Sequence, residues 1–409
     1  MIEKIYRLFV QHPKVSTDTR RIEPGSLFFA LKGANFDGNT FALKALEAGA
    51  AYAIVDDKSL KGVDPRVVCV DNVLRTLQLL AAHHRQELAI PIIAITGSNG
   101  KTTTKELLCA VLSQRYRVTA TVGNLNNHIG VPLTLLSMNS STEIGVVEMG
   151  ANAQGEIAAL CEIAAPDYGI INNIGRAHLE GFGGEEGIKR GKGELYRYLQ
   201  AHGGVAFVAA NDSVLMGMSQ DVERVEYPYA FAEGLMHQLE GDYNLKNIAA
   251  AVAIGMFFRV ESEDIHLAIA SYTPQNNRSQ RCETEQNTLI VDCYNANPSS
   301  MEVSIMNFAK EDFGRAKAMI LGDMFELGAW SAQEHLAVVA LAQRSGCEKI
   351  ILVGNNFGGA YLQVSNNKII HFPCREDLEA YLTQNPMRNY AILIKGSRAI
   401  GLEKIIKML

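Results

Sequence analysis

No two cysteines in this chain stand as Cys-x-x-Cys, and the seven present, at 69, 109, 161, 282, 293, 347 and 374, are scattered and odd in number. That argues against a disulfide framework or a cysteine zinc site and predicts reduced, mostly buried thiols. Long hydrophobic runs are missing too. The longest, Ile248 to Phe258, is too short to span a bilayer, and the stretch from Met1 to Val10 lacks the apolar core of a signal peptide. No membrane insertion and a cytoplasmic location are expected. There is little excess of charge: 38 Lys and Arg against 44 Asp and Glu, interspersed, leave a net charge of −6. This argues against nucleic acid as the main partner and requires that any anionic ligand be held by local groups. A Ser-His-Asp elbow, a His-Glu-x-x-His helix, a glycosidase-like carboxylate pair and internal repeats are also lacking.

What is present suits a soluble globular protein. At 409 residues and 47% hydrophobic content, two or three domains with real cores are expected. Three segments separate by pattern. Residues 1–88 read as a small α/β module containing Asp18-Thr19-Arg20, the apolar stretch Ser26 to Leu31, and an amphipathic stretch from Phe41 to Ala50. Residues 89–271 alternate strand-like runs (Ile92–Thr96, Ile144–Gly150, Tyr168–Ile174, Val205–Ala209) with helix-like patterns such as Thr103–Ser113 and Gln154–Ile163. Such alternation predicts a mostly parallel sheet covered on both faces. Residues 272–409 repeat the habit, with strands near Leu289–Asp292, Ala318–Gly322, Lys349–Gly354 and Ala391–Lys395, and predict a second, Rossmann-like sheet. The fold class is therefore α/β in three domains.

The most informative stretch follows the first run of the middle segment: Thr96-Gly97-Ser98-Asn99-Gly100-Lys101-Thr102-Thr103. Backbone N–H groups of a glycine turn, the positive end of a helix starting near Thr102, and the Lys101 cation together read as a phosphate cradle. The Thr102 hydroxyl is placed to ligate Mg²⁺. The usual first glycine is replaced by Ile95. A plain strand-to-helix turn is the bland alternative, and it explains neither Lys101 nor the threonine run.

Ligands of parallel sheets sit beyond the carboxyl ends of the strands, and here those ends are polar. They give Glu148, then Asn172 to His178, Asn211-Asp212, Asp292, Gly322-Asp323, Gly354-Asn355 and Lys395 to Arg398, which predicts a shared polar cleft between the two sheets. Glu148 is a candidate Mg²⁺ ligand, or a helix cap. His178, bracketed by glycines, is a metal ligand or simply solvated. Lys192 reads as a helix-surface lysine. Asn244 and Asn247, three apart, share a helix face where their amides could read a purine edge, although Asn244 could equally cap the helix. The turn Asp292 to Pro298 reads as a turn with Ser299 capping the next helix, which leaves Asp292 and Tyr294 unexplained. Arg278 and Arg398 flank strands and could reach a phosphate or carboxylate across a cleft.

The string Thr96 to Thr103, together with Asn124-Leu-Asn-Asn127-His-Ile-Gly-Val-Pro132, Glu148-Met-Gly150, Asn244-x-x-Asn247, Tyr294-Asn-Ala-Asn297-Pro298 and Leu321-Gly-Asp-Met-x-Glu-Leu-Gly328, resembles the Mur ligase family over all three segments. The resemblance implies an ATP-dependent ligase of cell-wall synthesis that works through an acyl phosphate, with Mg²⁺, two ions being expected. It implies UDP-muramyl-tripeptide and D-alanyl-D-alanine as small-molecule substrates, and a monomer is expected. Residues Gly97 to Thr103 would hold the ATP phosphates, with Lys101 on the β/γ oxygens and Thr102 and Glu148 on magnesium. His178 would face a second metal with Lys192, which aligns with the lysine that the family uses as a carbamate. Asn247, Asn244, Arg278 and Asp292 would complete the nucleotide site. Asp18-Thr19-Arg20 would hold the uridine end, and Asn127, Tyr294, Asn297 and Arg398 are the further substrate-binding candidates. Tyr243-Asn244, Asp37-Gly-Asn-Thr-Phe41, Asn277-Arg-Ser279 and Val291-Asp-Cys-Tyr294 depart from the usual strings and bear on fine contacts. Two competing readings are a related ligase acting on folate and glutamate, and a nucleotide-dependent scaffold without chemistry. The uridine-site motif and Tyr294 to Pro298 argue against the first, and Lys101, Glu148, His178 and Lys192 against the second.

Overall fold

Continuous β-branched runs bounded by glycine favour strands buried on both faces, and each of the strongest runs forms one. The computed structural model describes residues 1–274, 280–364 and 367–409. Among the described residues, three sheets of four to six strands follow one another along the chain, with a small antiparallel pair, Lys32–Gly33 and Phe36–Asp37, in the first segment. The first is parallel, in the order Val15–Ser16, Leu27–Phe29, Tyr52–Val55, Val67–Cys69. The second has six parallel strands ordered Glu223–Tyr227, Val205–Ala209, Tyr168–Ile171, Ile92–Thr96, Ile144–Glu148, Val118–Ala120. The third also has six: Gln280–Glu283 runs antiparallel to Thr288–Asp292, which is followed by Tyr390–Lys395, Ala316–Gly322, Lys349–Val353 and Ile369–Phe372, all parallel.

The middle sheet shows why its strands read as unbroken apolar runs. Ile93, Ile95, Val146, Ile170 and Phe207 face one core, shared with Leu107, Leu108, Val111, Ile248 and Ala251 of the helices Lys101–Leu112 and Asn244–Phe257. Ile92, Ala94, Val147, Ile171 and Val208 face the opposite core. Both faces are covered, so the two-residue period is hidden in sequence. The first part of the apolar run, Ile248 to Ile254, falls in the first of these cores while Met256 and Phe257 are exposed, and among the described residues no helix is long and apolar enough to cross a membrane.

The helix Val73–Leu88 ties the first sheet to the second. Asn72 caps its start by accepting from the Arg75 N–H at 2.7 Å. Near its end Arg85 donates to the carbonyls of Ala164 and Ala165, at 3.1 and 3.0 Å, and so satisfies the C-terminus of the helix Glu156–Ala164. The same guanidinium meets Asp167 at 2.8 Å, whose carboxylate also accepts from the Ile92 N–H. The start of the central strand is thereby fixed.

Candidate functional site

The strand Ile92–Thr96 sits where the order of the middle sheet reverses, between Ile144–Glu148 and Tyr168–Ile171, so the three strand ends open into one crevice. From it Gly97 and Gly100 turn the chain with φ of 141° and 79°, where side chains are strained. A Cβ on Gly100 would also stand 2.5 Å from Asn247 Oδ1. Lys101 opens the following helix and folds its Nζ back onto the Gly97 and Ser98 carbonyls at 2.8 and 3.4 Å. A cation, a helix N-terminus and a glycine turn converge there, which is the chemistry of a phosphate site.

The loop Asn172 to His178 supports that turn. Asn173 accepts from the Asn99 N–H at 3.0 Å and returns a bond to the Asn99 carbonyl at 3.0 Å, while its own carbonyl accepts from the Ser98 N–H. The Asn172 amide donates to Thr104 Oγ1 at 2.7 Å, Thr104 donates to Asn247 Oδ1 at 3.1 Å, and Asn247 donates to Asn244 Oδ1 at 2.8 Å. Asn244 does not cap its helix: its amide donates to the Glu240 carbonyl.

Glu148 is 1% exposed, and its carboxylate accepts from Thr102 Oγ1 at 3.0 Å and from Asn126 Nδ2 at 2.8 Å. It caps no helix, which removes the bland alternative. The buried Lys105 ammonium lies 4.0 Å from the same carboxylate; sequence reasoning passed over it, although it stands one helical turn beyond Lys101.

Lys192 is no surface lysine. It is 1% exposed, donates to the Ala151 carbonyl at 3.3 Å and lies 5.1 Å from the centre of the Phe182 ring. Burial, and then repulsion from Lys101, hold its amine well below the usual lysine range. His178 takes a left-handed φ of 55° and lays Nδ1 against the Glu326 carboxylate of the third sheet's domain. Hydrogen bonding to His178 in turn lowers the Glu326 carboxyl.

A cavity of about 630 Å³ unites most of these groups, although Gly97, Lys105, Asn172 and Lys192 are not on its wall. Ser98 to Thr103, Asn127, Glu148, His178, Asn244 and Asn247 line one side, and Asp292, Tyr294, Asn297 and Lys395 line the other. Asn297 Nδ2 donates to Asn99 Oδ1 at 2.8 Å, joining the third domain to the phosphate turn. The helix Pro298–Lys310 is capped by Asn297 in a reciprocal box with Ser300, not by Ser299 as the sequence suggested. Asp292 pairs at 2.5 Å with Lys395, a buried strand-end lysine whose role is not evident from the sequence because its burial and partner are properties of the fold. Arg398 lies outside the cavity wall with its guanidinium 5.3 Å from the centre of the Tyr294 ring. Asp18-Thr19-Arg20 also lie outside it: Asp18 binds Arg20 through its N–H and side chain at the surface, which holds the Asp18 carboxyl at about 2. Arg278 falls outside the described residues. Among the described residues no group of three or more His, Cys, Asp or Glu side chains forms a ready metal cage.

Family models described as Mur ligase family, catalytic domain; Mur ligase middle domain; and Mur ligase, glutamate ligase domain match residues 14–85, 95–232 and 277–398. The chain is 35% identical to UDP-N-acetylmuramoyl-tripeptide--D-alanyl-D-alanine ligase of Bacillus subtilis, over 96% of this chain and 92% of that one. A crystal structure of MurF from Acinetobacter baumannii superposes with a TM-score of 0.85 at 31% identity, covering 96% and 92% of the two chains. MurF ligase from Thermotoga maritima in complex with ADP gives a TM-score of 0.83 at 26% identity, covering 97% and 96%.

Proposed function

This chain belongs to the Mur ligase family, and from that premise we propose that it joins D-alanyl-D-alanine to UDP-N-acetylmuramoyl-tripeptide, converting ATP to ADP, in peptidoglycan precursor synthesis. The observation that carries this reading is the shared cavity: a phosphate turn on one wall, a second domain's polar strand ends on the other, and the Asn99–Asn297 bond between them. A site that only gripped or split a nucleotide would not need the opposite wall.

An amine does not displace hydroxide from a carboxylate at neutral pH, so an oxygen of the tripeptide's terminal carboxylate must first take the γ-phosphoryl group from ATP, releasing ADP, and so become part of a phosphate leaving group. Lys101 and the N–H groups of Gly97 to Thr103 hold and orient the γ-phosphoryl against that carboxylate. The dipeptide amine then attacks the acyl phosphate. Tyr294, Asn297 and Arg398 position the dipeptide; Asn127 holds the muramyl peptide, and Asp18-Thr19-Arg20 the uridine end. Asn244, Asn247 and Arg278 are assigned to the adenine side, and Asp292, steadied by Lys395, to the nucleotide from the third domain. Residues 1–88, 89–271 and 272–409 divide these tasks.

The buried Glu148 carboxylate and the Thr102 hydroxyl, 3.0 Å apart beside the phosphate turn, are hard oxygen donors of the kind Mg²⁺ takes alongside substrate phosphates, so the residues fit the ion. Bound there, Mg²⁺ supplies charge neutralisation on the phosphate oxygens. His178 and Lys192 are assigned to a second ion. The neutral amine that burial favours at Lys192 is the form that reacts with carbon dioxide, and a carbamate would turn it into an oxygen donor. The protein acts in the cytoplasm as a monomer.

The relatives carry the name of the muramyl ligase, so the folate-and-glutamate alternative is not favoured. Mass spectrometry of reactions containing ATP, the tripeptide substrate and the dipeptide tests the proposal. An adduct requiring all three is expected; turnover supported by folate and glutamate instead would replace it.

A further inference from the structure

The loop Asn172 to His178 divides its contacts. Its first half, Asn172, Asn173 and Gly175, bonds to Ser98, Asn99 and Thr104 of the phosphate turn and its helix. Its second half reaches the third domain. The Arg176 N–H donates to Ser299 Oγ at 2.8 Å, Nη1 meets both oxygens of Glu334 at 3.1 and 2.9 Å, and Nη2 meets Glu302 at 2.9 Å. Glu334 is 6% exposed, and among the described residues the bonds its carboxylate accepts both come from Arg176. A buried carboxylate whose partner lies across a domain boundary is satisfied only while the two domains are docked, or when separation returns it to water. The two arms of the guanidinium hold two carboxylates of the third domain, Nη1 on Glu334 and Nη2 on Glu302, so the contact fixes orientation as well as proximity.

We infer that Arg176 is a positioning residue that locks the third domain over the phosphate turn, so that closure and phosphate-loop geometry are set by one loop. This rests on the ligase reading above, because it assigns to the third domain the delivery of the attacking amine. Arg176 itself touches no reacting atom. With the lock intact, the acyl phosphate is shielded until the amine is in place; without it, water competes.

Arg176→Ala and the isosteric Glu334→Gln should both raise the KM for D-alanyl-D-alanine roughly tenfold, within the usual range of coupling between sites. ADP release should exceed adduct formation, while the affinity for a non-hydrolysable ATP analogue in the absence of the other substrates stays within about twofold. Arg176→Lys should restore part of the loss, since a single ammonium replaces one arm of the fork. In small-angle scattering, without any substrate, both disabling variants should have a larger radius of gyration than the unaltered protein. Unchanged KM, one ADP per adduct and an unchanged radius in a folded variant would overturn the inference. Should Arg176→Ala fail to fold, Glu334→Gln decides alone. If the unaltered protein makes no adduct, the ligase reading fails while the scattering comparison still judges the lock.

Discussion

The two six-stranded sheets carry equally polar strand ends but use them differently. In the middle sheet the ends after Ile92–Thr96, Ile144–Glu148 and Tyr168–Ile171 all serve the cavity, through the phosphate turn, Glu148 and Asn173. In the third sheet much of the polarity is consumed internally. Asp323 accepts from the Asn356 and Phe357 N–H groups at 2.9 and 2.8 Å and so caps the helix Asn355–Tyr361, and Gly354 is glycine because a Cβ there would lie 2.3 Å from the Asp323 carboxyl carbon. Among the described residues, only the ion pair of Asp292 and Lys395 brings strand-end charge from that sheet into the cavity. A polar residue after a strand becomes a site residue only where the strand order reverses and leaves a crevice.

The contrast can be broken at several depths. Lys101→Ala should lower turnover by roughly 10²–10³-fold with the fold retained, because the proposed role of the side chain is to hold bound phosphate; a comparable rate of ADP formation, or an unfolded variant by circular dichroism, would undo the middle sheet's assigned role. Lys192→Ala should cost roughly 10–100-fold in activity, and enzyme stripped of carbon dioxide should regain turnover when bicarbonate is added. Near-normal activity in the variant would remove the carbamate. On the other side of the comparison, Asp323→Ala should leave KM values unchanged but cost about 1–3 kcal/mol of stability in denaturant titration, as a helix start loses its acceptor. A selective loss of nucleotide affinity would mean that the third sheet's ends serve the cavity after all.

The smallest expected effect concerns pH. Burial holds His84 and His335 below the usual histidine range, in His335 partly offset by the Ser331 carbonyl and then by Asp323. His335 accepts from the Met324 N–H at 3.0 Å through Nε2, which fits a neutral ring. The folded state therefore stays unprotonated where the unfolded chain binds protons, below about pH 6.5. Stability should be level above that pH and fall as pH drops through it, and His335→Gln should lessen the drop in Tm between pH 7.5 and 5.5. An undiminished drop would place the titration elsewhere.

Much of this was legible in sequence because strands covered on both faces are continuous apolar runs, as in Ile92–Thr96 and Tyr390–Lys395. The edge strands Val118–Ala120, Glu223–Tyr227 and Gln280–Glu283 escaped notice: they are short or charged, half exposed, and gain their form from a neighbour's hydrogen bonds. The phosphate turn was readable because its chemistry is local. Lys192 looked ordinary because burial is a property of the fold, and only resemblance singled it out. Arg176 gave no signal at all, since its partners Ser299 and Glu334 lie 123 and 158 positions away. Ser299 was misread for a related reason: a serine near a helix start can cap it, but Asn297 does so and Ser299 turns to Arg176.

The proposed role of the turn at Gly97 to Lys101 is to energise a carboxyl group. Tripeptide substrate labelled with ¹⁸O in its terminal carboxylate tests this directly, since an acyl phosphate leaves one carboxyl oxygen on the departing phosphate. Adduct formation with ¹⁸O appearing in inorganic phosphate in equal amount is expected. Adduct formed with unlabelled phosphate, or ADP released with no adduct at all, would contradict it.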